Sequence, residues 1–177
     1  MVGRRLLLVG NLAFVGLLMG STSEAANLQD REWHPSSNSR TRIIAGTVVN
    51  GDIDSRTLAA AIEMLPRPPE RIVVVDTKEL PPGKESSLRD LDAFVLRGSS
   101  VIYLRRQSET LRVAEYSGGP YVLMLAVVIW HEMAHAEGLD ERQARQREED
   151  LWTEFTRRGL VDSVVGLTYL AELQRRR

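Results

Sequence analysis

Two histidines and a glutamate stand together in the second half of this chain. The run His131-Glu132-Met133-Ala134-His135 holds two of its three histidines, four positions apart. On a helix that spacing puts both imidazoles on one face, a turn apart. Two such rings can grip one divalent ion at about 2.0–2.1 Å each. Glu132 is rotated by about 100° from His131 around a helix, which suits a partner of a bound water better than a third ligand. A metal here would polarise a carbonyl and acidify water, while the carboxylate takes the water proton and later gives it to a leaving amine. The bland alternative is two histidines on a helix face, solvated or satisfied by hydrogen bonds.

A catalytic zinc site uses three protein ligands and keeps one position open. No histidine follows His135 and the chain has no cysteine, so the third ligand should be a carboxylate. Glu137 points off the face, and Asp140 is better explained as a helix cap. Glu141 begins the next helix, where a tight turn at Gly138 can swing it back to the metal. Glu148 shares the face of Glu141 and is its rival. The choice stays open, with Glu141 favoured. The acids Glu137, Glu149 and Asp150 read as a solvated face alternating with Arg142, Arg145 and Arg147.

The elements that must position these groups are visible around them. Pro120 suits a first helical turn, and Tyr121 to Glu137 reads as one long helix. Val122 to Ile129 is apolar all round, the mark of a central buried helix. Asp140 caps a second helix and Gln143 completes a capping box. That helix carries Leu151, Trp152 and Phe155 and ends near Gly159, and a last helix covers about Asp162 to Leu173. Upstream, Arg42 to Val49 and Arg71 to Asp76 read as strands, with a turn at Asn50-Gly51-Asp52. Between them a helix starts at Asp54 or Ser55, runs to Leu65 and is stopped by Pro66, Pro68 and Pro69. After a loop at Pro81-Pro82-Gly83, Leu88 to Val95 is ambiguous between helix and strand. Val101 to Leu104 is a strand and Thr110 to Tyr116 a short helix. The pattern predicts an α+β fold, a small mixed sheet packed on the central helix and followed by C-terminal helices.

Composition sets outer bounds. A chain of 177 residues with 43% hydrophobic and 27% charged residues fits one globular domain. A formal charge of −1 provides no basic field for nucleic acid. Arg4, Arg5, the apolar run Leu6 to Met19 and the small residues Ser23 and Ala25 read as a signal peptide over residues 1–25. The alternative is an uncleaved anchor, although the run falls short of the roughly 20 residues a spanning helix needs. Either way the remainder is expected outside the cytoplasm, periplasmic or secreted. Residues 26–41 read as a flexible segment carrying Trp33 and His34, the latter an exposed loop residue. The domain would then cover residues 42–177.

The segment from His131 to Asp150 resembles the zincin metallopeptidases, which combine His-Glu-x-x-His with a third ligand downstream. Against the metzincin pattern, Gly138 falls at the motif glycine and Glu141 where a final His or Asp would stand. Against the gluzincin pattern, Glu141-Arg142-Gln143-Ala144 resembles the Glu-x-x-Ala helix signature, with Ala144 small enough for close packing and Arg145 where an Asp often follows. Both comparisons point to Glu141. The resemblance implies an exported, minimal zinc peptidase. Zn2+ would be held by His131, His135 and Glu141, with Glu132 as general base and peptide or protein as substrate. It also implies that Val101 to Leu104 is the edge strand along the cleft, where extended peptide pairs. Tyr169, Tyr116 and Tyr121 are candidate oxyanion stabilisers only because a phenol can donate, and each reads first as a core or interface aromatic. A non-catalytic scaffold that keeps the metal, and a metal-free helical domain, are the contrasting classes.

Overall fold

The first apolar stretch folds as a hairpin rather than one strand. Strands β1 (Thr41–Ile44) and β2 (Thr47–Asn50) pair antiparallel. Ala45 and Gly46 form the turn, with φ of 46° and 83°, the double positive φ of the primed turns that match strand twist. Asn-Gly is the usual signature of such a turn, and Ala-Gly does not announce it. The Asn50-Gly51-Asp52 signal instead marks the exit from β2 toward α1 (Ser55–Glu63). Gly51 is required there, since φ is 114° and a Cβ would sit 2.7 Å from that of Val74. The structure, a computed structural model, describes residues 40–80, 88 and 91–175. The leader, His34 and the Pro81-Pro82-Gly83 loop lie outside the described residues.

Three more strands complete a five-stranded mixed sheet: β3 (Arg71–Val75), β4 (Ala93–Val95) and β5 (Val101–Arg105), in the order β1-β2-β3-β5-β4. β2, β3 and β5 run parallel, and β4 returns antiparallel to β5. The ambiguous stretch from Leu88 therefore ends as a strand. Period-two alternation gives the sheet two apolar faces. Ile72, Val74, Ile102 and Leu104 join the main core under the helices, while Val73, Val75, Phe94 and Tyr103 form a second cluster on the other face. Val101–Leu104 lies inside the sheet, between β3 and β4. The expectation that it is an edge strand is corrected: β4 pairs only with β5 among the described residues and stands at that end of the sheet.

Four further helices follow among the described residues: α2 (Glu109–Ser117), α3 (Pro120–Ala136), α4 (Glu141–Arg157) and α5 (Ser163–Arg175). The fold is α+β, as the pattern predicted. α3 touches α1, α2, α4, β4 and β5. It does so because its residues are apolar on every side: Leu123, Leu125, Ala126, Val127 and Ile129 are all buried. Each buried Leu, Val or Ile among them contributes about 1.5–3 kcal/mol by leaving water. Ala144 is fully buried, as close packing of α4 requires. No helix among the described residues is long and apolar enough to cross a membrane.

Candidate metal centre

The C-terminal end of α3 builds the site. There the helix closes with the Leu139 N–H donating to Ala134 O at 3.0 Å and the Gly138 N–H to His135 O at 2.9 Å. This paired closure needs a left-handed residue, and Gly138 supplies it with φ 85°. The turn then does two things. It sets the Leu139 carbonyl 3.1 Å from His135 Nδ1. It also delivers Asp140 to cap α4, with Gln143 completing the capping box, so that Glu141 starts α4 facing α3.

Three donor atoms meet at this corner. His135 Nε2 lies 3.1 Å from His131 Nε2 and 3.1 Å from Glu141 Oε2, and His131 Nε2 lies 3.6 Å from that same oxygen. Nitrogen and oxygen ligands at about 2.0–2.1 Å from one tetrahedral ion lie roughly 3.3 Å apart. The observed triangle fits that set, and His131, His135 and Glu141 form a group able to hold a metal ion.

Each donor is held from behind. His131 Nδ1 is 3.0 Å from Glu148 Oε2, and Glu148 Oε1 accepts from the Tyr169 hydroxyl at 3.1 Å. His135 Nδ1 faces Leu139 O, and Arg145 Nε donates to Glu141 Oε1 at 2.6 Å. Such partners fix the tautomer and orientation of metal-binding groups. Of the two rival carboxylates, Glu141 lies beside both Nε2 atoms and Glu148 does not. The two nitrogens of an imidazole point away from each other, and Glu148 sits on the outer one of His131.

Electrostatics follow from burial and crowding. Burial disfavours charge on His131, yet hydrogen bonds to Glu141 and Glu148 outweigh it and raise its pKa from 6.5 to about 10. Glu141 raises His135 as well, against burial and the neighbouring His131. Glu141 itself is held far below the usual carboxylate range, first by His131 and then by His135. Glu132 is 9% exposed, and burial pushes its pKa up while the two imidazoles pull it down. Three carboxylates thus surround two imidazoles in a half-buried corner. In the metal-free chain the protons held by the imidazoles offset these carboxylates, and a bound cation is the alternative partner.

Other named residues lie outside the donor triangle. Tyr169 spends its proton on Glu148, Tyr116 is 94% exposed, and Tyr121 packs against the core. Glu149 is buried rather than on a solvated face. Glu137 pairs with both Arg67 and Arg147, and Arg147 also lies over the Trp130 ring at 5.5 Å. The supporting roles of Arg145 and Glu148 were missed. A carboxylate two turns beyond Glu141, on the same face as a ligand, was the available signal for Glu148. A scan against protein-family models and searches of curated proteins and of solved structures found no match to this chain.

Proposed function

We propose that this chain is an exported zinc peptidase of zincin-like build that hydrolyses peptide bonds. One observation carries the reading: three donor atoms converge at ligand spacing while the opposite atom of each donor group is engaged elsewhere. His131 Nε2, His135 Nε2 and Glu141 Oε2 would hold the ion, and nitrogen–oxygen donors without thiolate suit zinc. Bound zinc supplies a Lewis acid that polarises a carbonyl and lowers the pKa of water. The chain supplies the rest. Glu132, kept basic by burial, accepts a proton from the attacking water and delivers it to the leaving nitrogen. The edge of β4 that is unpaired among the described residues, next to α3, offers backbone groups to an extended peptide.

The test uses the purified chain, added zinc and a quenched fluorogenic peptide library. His131→Ala is expected to lose zinc. Glu132→Gln is expected to keep zinc and lose turnover by about 10²- to 10⁴-fold, the usual contribution of a general base. A protein that refuses added zinc, or a Glu132→Gln variant that cleaves as fast as the parent, would overturn the proposal. Zinc uptake with no cleavage by the parent would favour the non-catalytic scaffold.

A further inference from the structure

We infer that the C-terminal helix α5 belongs to the metal centre: Tyr169, acting through Glu148, is a positioning residue for His131. This rests on the zinc reading above. The connection is a continuous line of contacts. The Tyr169 hydroxyl donates to Glu148 Oε1 at 3.1 Å, and Glu148 Oε2 meets His131 Nδ1 at 3.0 Å. Glu148 is 9% exposed, so few waters can replace either partner.

The carboxylate plane of a glutamate rotates softly about its last torsion. With His131 as its only partner, Glu148 could swing and carry the imidazole with it. The Tyr169 hydroxyl pins the other oxygen, which fixes the plane and hence the direction of His131 Nε2. Fixing an imidazole this way sets its tautomer and its strength as a ligand.

The placement of Tyr169 is itself built in. Trp152, fully buried on α4, donates from Nε1 to Gly166 O at 2.9 Å. The Tyr169 ring lies against that indole, with centroids 4.4 Å apart. Gly166 allows this approach, because a Cβ there would fall 2.7 Å from Thr156 Oγ1. A glycine contact, an indole and a phenol thus carry α5 to the rear of the first histidine. The same geometry removes Tyr169 from the oxyanion role, since its one proton is committed to Glu148.

The experiment is a zinc titration of the full chain against a chromophoric chelator, with cobalt(II) absorption as a report on ligand geometry. Glu148→Gln is expected to weaken zinc by about 10- to 100-fold, the usual effect of losing such a partner. Tyr169→Phe keeps the ring against Trp152 and loses only the hydroxyl. It is expected to weaken zinc by about 3- to 10-fold, the range of one hydrogen bond, and to alter the cobalt spectrum. Its metal-free thermal midpoint should stay near that of the parent. Leu167→Ala, on the same helix but 63% exposed, should change none of these. Parent-like zinc affinity and cobalt spectrum in Tyr169→Phe would overturn the inference. So would an equal loss in Leu167→Ala, which would mean general loosening of α5. Failure of the parent itself to bind zinc or cobalt would defeat the underlying reading instead, and the parent titration tells the two apart.

Discussion

Between Leu123 and Ile129, α3 buries an unbroken apolar surface against the sheet and its neighbouring helices. One turn later the same helix buries Glu132 and half-buries His131 and His135. The first half stabilises the fold by leaving water. The second half crowds ionisable groups together, where imidazole protons or a bound cation must offset the carboxylates. Stability and metal affinity should therefore separate along one helix. Changes in the apolar half should cost folding energy regardless of metal. Changes in the polar half should cost metal and, once pH exceeds the raised pKa of His131, leave the metal-free fold largely intact.

The largest expected effect breaks the first half. Ile129 is fully buried, and Ile129→Ala should destabilise the chain by about 2–5 kcal/mol through lost burial and the cavity left behind. Denaturant titration with and without zinc should show the same loss in both. His131→Ala should show the reverse pattern, erasing the stabilisation that added zinc gives the parent. Equal behaviour of the two variants would remove the distinction between the halves.

The difference between the halves also decides what the sequence made legible. Apolar periodicity, Pro120, Gly138 and the Asp140–Gln143 box all act locally, so the bounds of α3 and α4 could be read from neighbours in the chain. The two histidines and Glu141 were legible for the same reason, since one helix and one turn set their geometry. The hairpin at Ala45-Gly46 was not, because its backbone is paid for by strand pairing rather than by a favoured turn sequence. The edge position of β4 was hidden for a related reason: strand order depends on which surfaces meet. Arg145, Glu148 and Tyr169 carry side chains equally common on solvated faces. The Arg145–Glu141 pair is an ordinary i,i+4 spacing within α4, while Glu148 and Tyr169 find their partners only where α3, α4 and α5 meet.

A smaller effect is the response to pH, and it should have opposite signs with and without metal. In the metal-free chain the folded state raises the pKa of His131 from 6.5 to about 10. A raised pKa means that the folded state holds the proton more tightly. Its contribution to stability is complete below 6.5 and fades as pH climbs through about 10. Zinc needs that nitrogen without its proton, so zinc affinity should grow over the same window. Thermal midpoints measured from pH 6.5 to 10 should fall for the metal-free protein, while the increment added by zinc should rise. A zinc increment that is flat across this window would show that no proton leaves His131 when metal enters.

The smallest expected effect sits at the hinge between the helices. Gly138 has φ 85°, and a Cβ there would meet nothing within 4 Å. Gly138→Ala therefore costs only backbone strain, about 1 kcal/mol for a left-handed alanine. The same turn aims the Leu139 carbonyl at His135 Nδ1 and brings Glu141 Oε2 to His135 Nε2. Relief of the strain must move one or both, so zinc affinity should fall by a few-fold beyond what the stability loss explains. Gly138→Asn, which tolerates the left-handed region better, should lose less on both counts. A Gly138→Ala protein that is less stable yet binds zinc as tightly as the parent would reduce this turn to a helix stop, and would place the alignment of Glu141 wholly with Arg145 and the cap at Asp140.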